Sequence, residues 1–234
     1  MVSERVRQPP PGLTPTSYAI LGLLAIRSWT TYELAQQMQR AVGQFWPRAE
    51  SRLYEEPKKL VTHGLASAAP GQVGQRRRTV YSITPDGRRA LADWIPNAPA
   101  PPTLECEGMV KVFFAEHGSR DDLLATISRI HDWTGERLAA SAGIAGGYLA
   151  GEGSFEGRLP WLVLTGRFLD EFVFAVRRWA SWAATVVETW PEDITQADPA
   201  WEELRGMADR VNAALMEGAR RRRPPAGGVE RDLN

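Results

Sequence analysis

The chain has 234 residues and no formal net charge, and its 43% hydrophobic and 24% charged residues are ordinary for a globular protein. Its single cysteine, Cys106, excludes an internal disulfide and fits a reducing compartment, so we expect a cytoplasmic protein. The most apolar region, residues 161–187, contains five charged side chains, which exclude a membrane-spanning helix there.

Three helices are predicted in the first part of the chain, after a proline-rich arm at residues 1–12 that we expect to be disordered. Thr14 suits the N-cap of the first helix, and Pro15 suits its first turn. Thr30 or Thr31 can cap the second helix in the same way. The three predicted helices cover residues 13–26, 32–42 and 47–62.

The pattern changes from helical to strand periodicity after residue 64. Residues 65–69 and 79–83 are predicted to form two short strands, and the arginines between them belong to the returning strand. Pro70, Gly71 and Gly74 are expected to form the turn. A further helix, capped by Thr84, is predicted as far as residue 95.

Four prolines within residues 96–103 predict a stiff linker between two domains. Residues 1–95 carry 13 Lys/Arg and 7 Asp/Glu, a net charge of +6, whereas residues 96–234 carry 15 and 21, a net charge of −6. A basic domain beside an acidic one favours polyanion binding by the first. The predicted parts are a winged domain at 13–95, the linker at 96–103, a helical domain at 104–219 and a disordered basic tail at 220–234. The helices predicted after the linker cover residues 104–116, 120–149, 159–190 and 199–220.

Three helices followed by a basic hairpin is the order of a winged helix-turn-helix, so we predict a mostly α protein in which an all-helical domain follows that fold. In such a fold the third helix reads the major groove and the wing places cations against phosphates. Tyr54 shares a side of the helix with Ser51 and Lys58, which indicates an exposed polar stripe. The candidate DNA-binding residues are Arg48, Ser51, Arg52, Tyr54, Lys58 and Lys59 near the third helix, and Gln75, Arg76, Arg77 and Arg78 on the wing.

The same region resembles the PadR family of transcriptional regulators. The resemblance spans residues 13–95 and rests on an ordered set of fragments, each of them short. The sequence departs from the family at Thr31, usually glycine, and at residues 51–52, commonly glycine and threonine, so no DNA sequence preference is transferred. The matching fragments are residues 13–25 (LTPTSYAILGLLA), 32–34, 45–47, 53–54, Leu60, 64–65 and 78–87.

This resemblance implies a cytoplasmic homodimer that binds a pseudo-palindromic operator in double-stranded DNA, usually as a repressor. It places Tyr54 and Lys58 against the DNA, and Tyr32 at the start of the second helix, where the DNA backbone is contacted. The C-terminal helices would dimerise, and a small aromatic or cationic effector near their interface would weaken DNA binding. The alternative is a winged-helix regulator whose helical half mediates protein–protein assembly without an effector.

One long helix of the C-terminal half carries an aromatic stripe. Spacings of seven, four, seven and three residues keep the rings roughly on one side of the helix. Packing, such as packing against a second subunit, is favoured over a ligand cage. The sequence shows no metal-ligand spacing and no nucleophile–base motif, so neither a cofactor nor an enzyme is predicted. The candidates for a dimer interface or effector pocket are Trp161, Phe168, Phe172, Trp179 and Trp182.

Pro57 lies in the middle of the predicted third helix, where it removes a main-chain hydrogen bond at a cost of about 3 kcal/mol in an exposed helix. Because Leu53 and Leu60 share one face, we expect their packing in the core to offset that cost, in a helix that bends near the proline. Glu55 and Glu56 would repel DNA, so they are predicted to point towards the protein or water.

Overall fold

The computed structural model describes residues 12–73, 76–198 and 200–221 of the chain. Helices dominate, and the order of three helices, a hairpin and a further set of helices confirms the predicted fold class. The helices are α1 (Pro15–Ile26), α2 (Thr31–Ala41), α3 (Glu50–Thr62), α4 (Pro85–Trp94), α5 (Glu107–Phe113), α6 (Arg120–Leu149), α7 (Leu159–Glu188) and α8 (Trp201–Arg221). The strands are β1 (Trp29–Thr30), β2 (Ala66–Val73) and β3 (Arg76–Ile83).

Threonine N-caps begin three of these helices. In α1 the Thr14 side chain accepts a hydrogen bond from the Ser17 N–H, and Ser17 accepts one from the Thr14 N–H. Thr30 forms the same reciprocal capping box with Glu33 at the start of α2, so Thr30 rather than Thr31 is the cap. The Thr84 side chain accepts from the third residue of α4 at 3.0 Å. The predicted caps of all three helices are confirmed.

The sheet has the strand order β1-β3-β2 and is antiparallel throughout. The strand β1, which the sequence does not predict, pairs with Tyr81 and Val80 of β3. Pro70 and Gly71 lie inside β2, where they pair with β3, so the prediction that these two residues form the turn is wrong. Gly74, the third residue of that prediction, lies outside the described residues. Proline is tolerated there because β2 is an edge strand, on which one side of the backbone needs no partner.

The chain forms two compact units. The first comprises the described residues up to Glu105 together with Gly157–Leu169, and its core is built around the apolar α1. Leu53 and Leu60 of α3 are buried in this core, as their spacing predicts. Tyr18 stacks on Trp94 with ring centroids 4.7 Å apart, which joins α1 to α4.

The second unit is helical and comprises Cys106–Glu156 and the described residues from Asp170 onward. Ser119 and Asp122 form a capping box at the start of α6. The α5 helix is shorter than predicted, since it ends at Phe113 and a short 3-10 turn follows. None of the helices in the described ranges is long and apolar enough to cross a membrane. The core of this unit is formed by Leu123, Ile127, Ala180, Ala183 and Val187, from α6 and α7.

Candidate nucleic-acid interface

The α3 helix continues unbroken through Pro57. Its inner face is formed by Leu53, Pro57 and Leu60, all of which are buried. Burying the proline ring with the two leucines offsets part of the cost of the main-chain hydrogen bond that proline cannot make. The predicted helix through Pro57 is confirmed, and the bend in it stays a prediction.

The opposite side of α3 is polar and accessible. Ser51, Arg52 and Lys58 are exposed, and Tyr54 is half-buried. Ser51, Tyr54 and Lys58 share one side of the helix, and we call these three residues the recognition face; Arg52 lies further round the helix, two positions from Tyr54. Because the inner face is fixed in the core, the orientation of the recognition face follows from the packing of α3.

Two side chains of the recognition face donate hydrogen bonds to carboxylates of the same helix. The Tyr54 hydroxyl donates to Glu50 Oε1 at 3.1 Å, which raises the pKa of Tyr54. The Lys58 ammonium donates to Glu55 Oε1 at 2.8 Å, which raises the pKa of Lys58. Each shift favours the protonated side chain, which is the form that donates these hydrogen bonds. Glu55 is exposed, as predicted, but it is bonded to a candidate DNA-binding lysine.

Lys59 has a different environment from that of Lys58. Its ammonium lies 3.6 Å from Glu56 Oε1, and its side chain is only 33% exposed. Glu56 points into the protein, as predicted, where its Oε2 accepts a hydrogen bond of 2.7 Å from the Ser17 hydroxyl. Sequence reasoning missed this bond, since a buried serine 39 residues away carries no local signal.

Arg48 lies in the loop before α3 and is held by its neighbours. Its guanidinium stacks 4.0 Å from the centroid of the Trp46 ring and donates to the Pro47 carbonyl at 2.6 Å. The Trp46 indole donates to the Thr16 hydroxyl at 3.0 Å, which ties the loop to α1. A shallow cavity of about 250 Å³ beside this loop is lined by Met38, Gln39, Gly43, Trp46, Pro47, Arg48 and Leu53.

Tyr32 of α2 and Arg78 of β3 are the remaining candidates whose side chains are described. Tyr32 is 55% exposed at the start of α2, close enough to Tyr54 to contribute to the rise in the pKa of that residue. Arg78 of β3 is half-buried and contributes to the lowered pKa of Glu33, behind the main cause, the hydrogen bonds from Thr30. Of the other candidates on the wing, Arg76 and Arg77 are described as strand backbone only, and Gln75 lies outside the described residues.

The aromatic stripe of α7 does not have a single environment. Trp161 and Phe168 are each 61% exposed, and Trp182 is 45% exposed. Phe172 is also exposed, whereas Trp179 packs against the core of the second unit. Exposed apolar side chains recur along α8 at helical spacing, namely Trp201, Leu204, Met207, Val211 and Leu215.

In the described ranges, no group of three His, Cys, Asp or Glu side chains could hold a metal ion.

Comparison with known proteins extends beyond the winged helix. The profile of the transcriptional regulator PadR-like family matches residues 20–93. The negative transcriptional regulator PadR of Bacillus subtilis (strain 168) is 33% identical over 137 aligned residues, which cover 53% of this chain and 75% of that protein.

Two crystal structures of Bacillus subtilis PadR are similar to this fold. The complex with operator DNA has a TM-score of 0.64 and 25% identity, and covers 74% of this chain and 99% of that one. The complex with p-coumaric acid has a TM-score of 0.55 and 26% identity, and covers 75% of this chain and 99% of that one. Because each match covers about three quarters of this chain, the likeness includes helices outside residues 20–93.

Proposed function

Because the chain belongs to the PadR-like family of transcriptional regulators, we propose that it is a cytoplasmic repressor that binds operator DNA as a homodimer and is released by a small-molecule effector. Family membership confirms the prediction of a regulator rather than an enzyme. In our proposal residues 13–95 bind DNA, residues 96–103 link the two parts, and the helices of residues 104–219 form the dimer.

The recognition face carries the proposal for DNA. It presents a hydroxyl, a phenol and an ammonium on one side of a helix whose inner side is packed in the core, and the Arg52 guanidinium is exposed further round the helix. Arginine suits guanine edges, and lysine suits phosphates. Tyr32, which is close to Tyr54, and Arg78, which is close to Glu33, would contact the DNA backbone. The resemblance in fold to a PadR–operator complex supports the same assignment.

The exposed aromatic side chains of α7 support the proposal for a dimer. Large exposed apolar patches on a single chain are typical of interaction surfaces. A second copy is the partner that fits best, because a two-fold axis would relate two recognition faces, as a pseudo-palindromic operator requires. We propose that Trp161, Phe168, Phe172 and Trp182 form part of this interface.

The proposal for an effector rests on the same aromatic side chains and on the similarity to Bacillus subtilis PadR. Bacillus subtilis PadR has been crystallised with p-coumaric acid, a small aromatic molecule. Exposed indole and phenyl rings near a dimer interface could bind an aromatic or cationic compound by stacking or cation–π contact. Operator release should be measured against a panel of both classes. If no compound changes operator affinity, assembly without an effector becomes the better explanation.

Operator binding is tested by footprinting on DNA from the region upstream of the gene, followed by affinity measurements over a range of salt. Lys58→Ala should weaken binding and reduce the slope of log K against log salt by about one, because one phosphate contact is lost. Arg77→Ala should act in the same direction on the wing.

Lys111→Ala is the matched control for Lys58→Ala. Lys111 is an exposed lysine of α5 that pairs with Glu107 at 2.9 Å, as Lys58 pairs with Glu55, but it belongs to the other unit. The control should leave affinity and salt slope unchanged. If Lys58→Ala and Arg77→Ala behave like the control, or if no site is protected, the proposed DNA-binding surface is wrong.

A further inference from the structure

The Glu56 carboxylate joins α3 to the first turn of α1. Its Oε2 accepts a hydrogen bond of 2.7 Å from Ser17, whose side chain is fully buried. Its Oε1 lies 3.6 Å from the Lys59 ammonium. The Glu56 side chain is only 15% exposed. This carboxylate is therefore engaged on both oxygens within the protein.

The bond from Ser17 is oriented by the N-cap of α1. The Ser17 hydroxyl oxygen accepts from the Thr14 N–H at 3.0 Å, so its own proton is directed to Glu56. A hydrogen bond to an ionised acceptor is roughly twice as strong as one between neutral groups. The carboxylate also lies at the N-terminus of α1, where the helix dipole favours a negative charge. Three interactions thus hold Glu56 in one place.

Glu56 lies in the turn of α3 in which one main-chain hydrogen bond of the helix is missing. The next residue is Pro57, which cannot donate to the Leu53 carbonyl. Positions 54 and 58 lie two residues to either side of Glu56, so they are on the far side of the helix from it. A rotation of this turn would move Tyr54 and Lys58 together.

We infer that Glu56 is a positioning residue for DNA recognition, which acts by fixing the recognition face through Ser17 and touches no DNA itself. The inference rests on the proposed function. It also changes the role of Lys59, which neutralises Glu56 in the protein and is no longer a leading candidate for a phosphate contact. Loss of the link should reduce discrimination between the operator and other DNA more than it reduces general attraction to DNA.

The test measures the ratio of operator affinity to non-specific affinity for the full-length protein and its variants. Glu56→Ala should lower this ratio roughly tenfold, comparable to losing one base contact. Its non-specific affinity should not fall, because a negative charge is removed. Ser17→Ala breaks the same link without changing the charge, so the ratio should fall in this variant too. In this ratio the double variant should be no worse than Glu56→Ala alone, because the Ser17–Glu56 bond is the contact that both changes remove.

Glu107→Ala is the matched control, since it removes the same charge from an exposed position at which the carboxylate pairs with Lys111 of the same helix, in the unit that does not contain the recognition face. It should keep the ratio of operator affinity to non-specific affinity within about twofold of the wild type. A purely structural role for Glu56 would lower the unfolding midpoint and leave the ratio of the folded protein intact.

A preserved ratio in Glu56→Ala and Ser17→Ala, or additive effects in the double variant, would overturn the inference. If Glu56→Ala does not fold, Ser17→Ala decides the question by itself. A wild-type protein that prefers no DNA site would instead refute the proposed function, and the inference with it.

Discussion

Replacing Gly87 by alanine tests how tightly the wing is joined to α4. A Cβ atom at this position would lie 2.9 Å from Ile83 Cγ1 and still closer to the carbonyl oxygen of Leu65. That oxygen already accepts a hydrogen bond of 3.1 Å from the Thr84 N–H. Backbone, and not a flexible side chain, would have to move. The first turn of α4 would be pushed away from the base of the hairpin.

The magnitude follows from two opposing effects. Overpacking costs about 1–3 kcal/mol, and alanine recovers about 0.5–1 kcal/mol over glycine in a helix. We expect Gly87→Ala to lower the free energy of unfolding by about 1–2 kcal/mol. Urea unfolding followed by circular dichroism should show an earlier midpoint with an unchanged slope.

Gly22→Ala is the control, because Gly22 also lies in a helix, but a Cβ atom there would meet no neighbouring atom within 4 Å. It should stabilise the protein by about 0.5–1 kcal/mol. The reasoning fails if Gly87→Ala is as stable as the wild type, or if the two variants shift in the same direction.

Two further predictions concern assembly and pH. Phe168→Asp combined with Trp182→Asp should give a folded protein that is monomeric by light scattering, since both side chains are exposed. Trp179→Asp should instead unfold the second unit, because Trp179 contacts the core of that unit. A dimeric double variant would contradict the interface. Hydrogen bonds from Thr30 lower the pKa of Glu33 in the folded state. They therefore stabilise the folded protein at neutral pH, and this stabilisation is lost as the pH falls through the lowered pKa. Glu33→Gln should therefore show a smaller drop in melting temperature between neutral and acidic pH, and an equal drop would contradict this.

The features that the sequence predicts correctly depend on neighbours along the chain. The caps at Thr14, Thr30 and Thr84 involve a side chain and a backbone N–H three residues later, so the pattern contains both partners. Leu53 and Leu60 are found by periodicity alone, because one side of a packed helix must be apolar.

The features that it misses depend on partners far along the chain. β1 is two residues long and exists because Tyr81 and Val80 of β3 lie beside it. Pro70 is typical of a turn, and only the edge position of β2 makes it acceptable in a strand. The bond between Ser17 and Glu56 likewise needs the packing of α1 on α3, which no local pattern encodes.

The charge of α3 bears on how the proposed repressor would select its operator. The helix carries three acidic and three basic residues, so its net charge is zero. Its lysines are each paired with a glutamate, at 2.8 Å for Lys58 and 3.6 Å for Lys59. A phosphate must therefore replace Glu55 as the partner of Lys58, so losing the existing pair offsets part of the gain from that contact. General attraction to DNA would then come mainly from the arginines of the wing, which leaves α3 to contribute discrimination through the geometry of the recognition face.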